Sequence, residues 1–145
     1  MAHAENEVVI NKPIDEVFAF IADGTNNAKW RPGVVEGSLK EGTPSALGAV
    51  YKQTLRVGHR TVAGDYKITV LEPKKQLSFA VIAGPARPTG DYYLSETSEG
   101  TKLRLVLDFQ PKGLLRLIGP MINKTMQREV AQLAALKSVL ESGQA

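Results

Sequence analysis

The sequence predicts an α+β fold in which an antiparallel meander is covered by a C-terminal helix. Three observations carry this. Between Tyr51 and Phe109 apolar residues alternate with polar ones at period two, whereas Ile14–Ala22 and Gly113–Ser142 place them at the three-four spacing of one buried helix face. No repeat, low-complexity tract or Pro/Ser-rich linker divides the 145 residues, so one domain, residues 1–145, is expected.

The elements follow in order. Val8 to Asn11 read as a short strand. Pro13 then stands where a first helical turn tolerates it, and Asp15 and Glu16 complement the positive end of the helix dipole. A helix is predicted from Ile14 to Ala22, burying Ile14, Val17, Phe18 and Ile21. Asp23-Gly24-Thr25-Asn26-Asn27 stops it, and Ala28 to Arg31 form a further short turn before Pro32-Gly33. Tyr51, Gln53, Leu55 and Val57 alternate with Lys52, Thr54 and Arg56; Tyr66, Ile68 and Val70 alternate with Lys67 and Thr69. Leu77 to Ala83, Tyr92 with Leu94, and Leu103 to Phe109 make three more strands. Gly58-His59, Pro73-Lys74-Lys75 and Ser98-Glu99-Gly100 supply turns between them. In the tail, Pro120 would break a helix interior at about 3 kcal/mol, so a short piece ends at Ile118 and the main helix opens at Gly119-Pro120. Ile122, Thr125, Met126, Glu129, Leu133, Leu136 and Leu140 share its inner face; Lys124 and Arg128 point away.

Composition removes several functions. The chain has no cysteine, hence no disulfide, thiolate metal site or thiol nucleophile, which favours an intracellular compartment. No basic stretch leads into an apolar run near Met1 to Glu7, and no segment reaches the roughly 20 apolar residues of a membrane span. A cytoplasmic location without stable membrane insertion is expected. The net charge of +3 is uneven: residues 1–111 hold thirteen Lys/Arg against thirteen Asp/Glu, and residues 112–145 five against two. Five spaced cations without interleaved aromatics read as a solvated helix face rather than a nucleic-acid surface.

The run Val9-Ile10-Asn11-Lys12-Pro13-Ile14-Asp15-Glu16-Val17-Phe18-Ala19-Phe20-Ile21-Ala22-Asp23, followed by Trp30-Arg31-Pro32-Gly33-Val34, resembles the opening of the START-like superfamily, in particular its polyketide cyclase/dehydrase and lipid-transport branch. Leu71-Glu72-Pro73, Thr89-Gly90-Asp91-Tyr92, Gly100-Thr101, Leu133, Leu136-Lys137 and Leu140-Glu141 extend the resemblance to about residues 5–142. It implies a helix-grip fold: a seven-stranded curved antiparallel sheet wrapped around a long C-terminal helix, two short helices after the first strand, and a cavity between sheet and helix. Members of the superfamily include lipid, hormone and quinone carriers as well as cyclases, so the fold alone does not choose between them.

Glu129 is the charged residue near the centre of the inferred apolar stripe, between Thr125 and Leu133. It reads either as a protonated anchor or acid/base in a greasy pocket, or as a carboxylate at the cavity mouth paired with Lys or Arg. Trp30 reads as a gate over the cavity or as a plug beneath the connection that carries it. Tyr51, Gln53, Tyr66, Phe79, Tyr92 and Phe109 fall on the inferred concave face, with Gln53 an amide that needs partners there. From the tail, Met121, Ile122, Thr125 and Met126 join the candidate lining. Gly84-Pro85-Ala86-Arg87-Pro88 reads either as a mobile rim loop that aims Arg87 at a ligand carboxylate or phosphate, or as a segment whose two prolines serve structural rigidity. His59 reads as a solvated turn residue and His3 as part of a frayed terminus.

The chain has no nucleophile elbow, phosphate-cradling loop or carboxylate–histidine cluster, so no metal or other cofactor is expected. The expected function is binding or carriage of a hydrophobic lipid, quinone or polyketide-like molecule, by a monomer or homodimer and without nucleic acid. A cyclase or dehydratase using Glu129 as acid/base is the alternative. An interaction domain using a sheet edge or the basic outer helix face is a third reading.

Overall fold

The computed structural model describes residues 2–84 and 86–143. Chain order runs β1 (Ala2–Ile10), α1 (Ile14–Ala22), a 3₁₀ turn (Gly24–Asn26), α2 (Asn27–Trp30), β2 (Val34–Glu41), β3 (Val50–Val57), β4 (Arg60–Ala63), β5 (Tyr66–Glu72), β6 (Gln76–Val81), β7 (Thr89–Thr97) and β8 (Gly100–Phe109). A second 3₁₀ segment (Gly113–Ile118), α3 (Gly119–Ala131) and α4 (Leu133–Glu141) complete it. The fold is α+β, as expected.

All strands join one antiparallel sheet in the order β1-β8-β7-β6-β5-β3-β2. Seven strands were expected, without this order. The eighth, β4, pairs only with β3 in a hairpin closed by Gly58-His59, and at four residues it is too short to show an alternation. Register shifts in β2 and between Ile68 and Val70 of β5 mark bulges, which increase local twist and bend the sheet into a grip.

The concave face and the helices share one core. Tyr51, Ile68, Leu77, Leu103 and Leu105 from the sheet meet Val17 and Ile21 of α1 and Met126, Val130, Leu133, Leu136 and Leu140 of α3 and α4. α1 spans the predicted residues; Pro13 is its N-cap, with φ −61° and ψ 147°.

Three expectations are corrected. β1 is longer than Val8–Asn11 and pairs along its whole length with β8, from Ala2 opposite Phe109 to Ile10 opposite Thr101. His3 is therefore not frayed: its ring lies 2.6 Å from Asp108 and 3.0 Å from Glu5, and these carboxylates hold its pKa above the usual histidine value. β2 has no predicted counterpart, because as an edge strand it buries only Val34 and shows no apolar alternation. The C-terminal helix is divided: Gln132 stands between α3 and α4, and its backbone N–H donates to Glu129 and Val130.

Candidate functional site

The site grows from a row of aromatic rings across the concave face. Tyr51 on β3, Tyr66 on β5, Phe79 on β6 and Tyr92 on β7 succeed one another because neighbouring strands in register bring inward side chains together. Tyr51 and Tyr66 are stacked with centroids 5.6 Å apart. Tyr66 meets Phe79 edge-on at 5.4 Å, and Phe79 lies 6.0 Å from Tyr92. Two glycines make room for the row: a Cβ at Gly90, opposite Phe79, would strike its ring, and one at Gly24 would lie 2.6 Å from the Tyr51 ring.

Above this floor, α1 and α2 close a small cavity lined by Ile21, Ala22, Asn27, Arg31, Tyr66, Ile68, Leu77, Phe79 and Tyr92. Its volume is about 20 Å³, room for roughly one water molecule. The walls are apolar except at one end. There the Asn27 amide donates to the Tyr66 hydroxyl at 2.9 Å and to Gln53 Oε1 at 3.0 Å. Gln53, Asn27 and Tyr66 are all buried, so this shared amide satisfies three groups that would otherwise be orphaned. The Tyr66 hydroxyl, accepting from Asn27, keeps its own proton to donate.

Arg31 follows α2 and closes the same end. Its Nη2 donates to Glu129 Oε2 at 2.6 Å, tying α2 to α3 across the mouth. The two side chains are 18% and 27% exposed, so the pair is half-shielded rather than dry. Burial works to lower the guanidinium pKa, but attraction to Glu129 and to the electron-rich tyrosine oxygens outweighs it, and Arg31 stays charged. Burial also pushes both phenols up. Tyr92 reaches about 12, with Arg31 opposing the rise, and Tyr66 moves further in the same direction. At neutral pH both are hydroxyl donors beside a fixed cation.

The predicted residues divide three ways. Tyr66, Phe79 and Tyr92 line the cavity. Trp30, Tyr51, Gln53, Phe109 and Met126 are buried without lining it, and Ile122 packs partly buried against the hydrophobic core. Trp30 is 3% exposed, and its indole N–H has no protein partner. Arg87, Met121 and Thr125 lie elsewhere. Arg87 is exposed and turns its Nε back to the Gly84 carbonyl at 3.3 Å; Pro85, within the same predicted rim loop, lies outside the described residues. Met121 is exposed, and Thr125, also exposed, donates to the Met121 carbonyl.

The helix break explains the displacement of Thr125 and Glu129. Treating residues 122–140 as one helix puts Glu129 near the centre of the stripe. In α3 alone the inner face is Ile122, Met126 and Val130, so at 100° per residue Glu129 falls about 60° to its flank and Thr125 about 100°. Glu129 consequently faces Arg31, the paired arrangement rather than the unpartnered one. Asn27 and Arg31 were not singled out, because polar residues in a connection read as solvated; the adjacent Trp30 was the one signal that the connection dips inward. Among the described residues no three His, Asp or Glu side chains gather as metal ligands would.

The shape is shared with solved structures. A START superfamily protein from Mycobacterium smegmatis superposes with a TM-score of 0.82 at 14% identity, covering 98% of this chain and 99% of that one. Ara h 8.0201 superposes with a TM-score of 0.76 at 20% identity, covering 97% of each. The di-domain ARO/CYC protein BexL matches with a TM-score of 0.78 at 21% identity, over 97% of this chain and 47% of its own. At such identities these likenesses show the fold alone. No curated protein matches the sequence. The family model described as "Polyketide cyclase / dehydrase and lipid transport" does match, over residues 1–141. The chain, START-like in fold and matched almost from end to end, belongs to the polyketide cyclase/dehydrase and lipid transport family.

Proposed function

We propose that this protein binds a hydrophobic small molecule, a lipid, quinone or polyketide-like compound, between the aromatic floor and the α1–α2 cover above it, and releases it intact. The observation that carries the reading is the aromatic row ending at Arg31. Tyr66, Phe79 and Tyr92 offer a continuous apolar surface, while the guanidinium and two neutral hydroxyls offer donors at one end only. Such a site holds a ligand by burial and orients it by one polar group. The closed cavity has a volume of only about 20 Å³, so entry requires its cover to open, which the contact between Arg31 and α3 opposes. The Arg31–Glu129 pair is the latch.

The test is native mass spectrometry after incubation in a cell lysate, followed by titration of a lipid, quinone and aromatic polyketide panel. Trp30 reports binding by its fluorescence, as it is the sole tryptophan and adjoins Arg31. Saturable binding that weakens in Phe79→Ala supports the reading; a protein that carries nothing out of the lysate and ignores the whole panel refutes it.

A second reading, a cyclase or dehydratase, draws on the same donors. Arg31 and Tyr92 would polarise a ligand carbonyl, and Glu129, freed from Arg31, would take the proton. With both phenols neutral, Glu129 is the base this reading requires. Turnover of a poly-β-carbonyl substrate that survives unchanged in Glu129→Gln would reject it.

A further inference from the structure

Exposed apolar side chains are spread thinly over most of the surface: Val35 on β2, Leu47 in the loop after it, Val57 at the end of β3 and Ile82 after β6. At the start of α3 they gather. Leu117 is 80% exposed, Met121 67% and Ile118 39%, all within five residues. Along α3, Met121, Lys124 and Arg128 recur at three and four residues and are all exposed, so one outward stripe runs from apolar tip to basic flank. From Gln110 to Arg128 the chain holds four cations, Lys112, Arg116, Lys124 and Arg128, and no acidic residue. The nearby acids are engaged: Glu5 and Asp108 with His3, Glu5 also with Arg104, and Glu129 with Arg31. Beside the tip lies an open groove of about 520 Å³ whose lining includes Arg116, Pro120 and Asn123.

We propose that this face docks the protein peripherally on an anionic lipid bilayer. Leu117, Ile118 and Met121 enter the boundary between headgroups and acyl chains, and the four cations meet the phosphates, Arg116 from within the groove. Charge decides between occupants. A second copy on the same face would set four cations against four, which disfavours self-association. A nucleic acid would meet the cations but leave the apolar tip in water, and the stretch has no aromatic ring for a base to stack on. A membrane surface complements both parts at once, with cationic stems lying along the apolar boundary and charged ends in the headgroup layer. The proposal stands apart from the cavity, since none of these residues lines it.

The experiment is co-sedimentation of the intact protein with vesicles of phosphatidylcholine alone and of phosphatidylcholine containing about one third phosphatidylglycerol. Retention on the anionic vesicles only, falling as salt rises, is expected. At about fivefold per charge, Lys124→Gln with Arg128→Gln should lower the partition coefficient about 25-fold. Leu117→Ser with Met121→Ser should lower it on the order of tenfold or more. All four side chains are exposed, so circular dichroism melts of these variants should match the parent, which separates lost docking from lost folding. Equal binding to both vesicle types, or full retention by the Leu117/Met121 variant, overturns the proposal. So does a parent that ignores both vesicles yet binds duplex DNA or an acidic protein.

Discussion

The latch can be weighed by a double-mutant cycle on Arg31 and Glu129. At 2.6 Å, two unit charges in an effective dielectric of about 20 attract by roughly 6 kcal/mol. Most of that is offset by lost hydration and by the freezing of two long side chains. At 18% and 27% exposure, the pair lies between exposed pairs and buried ones, so a net coupling of about 1 to 3 kcal/mol is expected. Glu129→Gln should then lower the melting temperature by roughly 3 to 9 °C, and Arg31→Met by a similar amount. The double variant should lose much less than the sum of the two. The assay is thermal or urea unfolding of all four proteins, repeated with an apolar dye whose uptake reports opening of the cavity. Coupling should persist at high salt, because screening acts weakly on a shielded pair. Additive losses, with dye uptake unchanged in Glu129→Gln, would refute the reasoning: the ion pair would then be an incidental contact and something else would hold α3 closed.

Other outcomes follow from the same geometry. Met126→Ala should lose about 2 to 5 kcal/mol in urea unfolding, since the side chain is buried beneath α3, while Thr125→Trp, one position away but exposed, should leave the melt nearly unchanged. Gly24→Ala should destabilise by about 1 to 3 kcal/mol, because the added Cβ meets the Tyr51 ring and the Tyr66 hydroxyl; chemical shifts of both rings should move. Stability should fall at alkaline pH. Both phenols titrate later in the folded chain than in the unfolded one, so the stability is fully present below pH about 10 and is lost as pH rises through about 12 for Tyr92. Tyr92→Phe should flatten this decline by about 2 to 3 kcal/mol in denaturant titrations at a series of pH values.

What the sequence showed, and what it concealed, follows from how much of each element is buried. α1 and the strands of the concave face were legible because each presents a buried set at a clean period, as with Tyr66 and Ile68 on β5. The opening of α3 was legible from Gly119-Pro120, where proline fits only a first turn. β2 carries no such record, since its edge position leaves nearly every side chain wet. The inward residues of β1 near its start are Ala2 and Ala4, which are buried but too small to stand out. At the site, three of the aromatic wall residues were foreseen. The polar end was not, because Asn27 owes its burial to Gln53 and Tyr66, far away in sequence, and Arg31 owes its orientation to Glu129.

The break at Gln132 also divides how firmly the two halves of the C-terminal segment are held. Over nine residues, α4 sinks three leucines, Leu133, Leu136 and Leu140, each at most 1% exposed. Over thirteen, α3 fully buries only Met126 and Val130, and side-chain hydrogen bonds tether it along one side, from Asn6 to the Val130 carbonyl and from Gln127 to the His3 carbonyl. Amide hydrogens of α4 should therefore exchange only when the whole molecule unfolds, while those of α3 exchange through a cheaper, local opening. The rate at which α3 yields its protons to solvent is then a clock for the opening that the proposed binding requires, readable without naming a ligand.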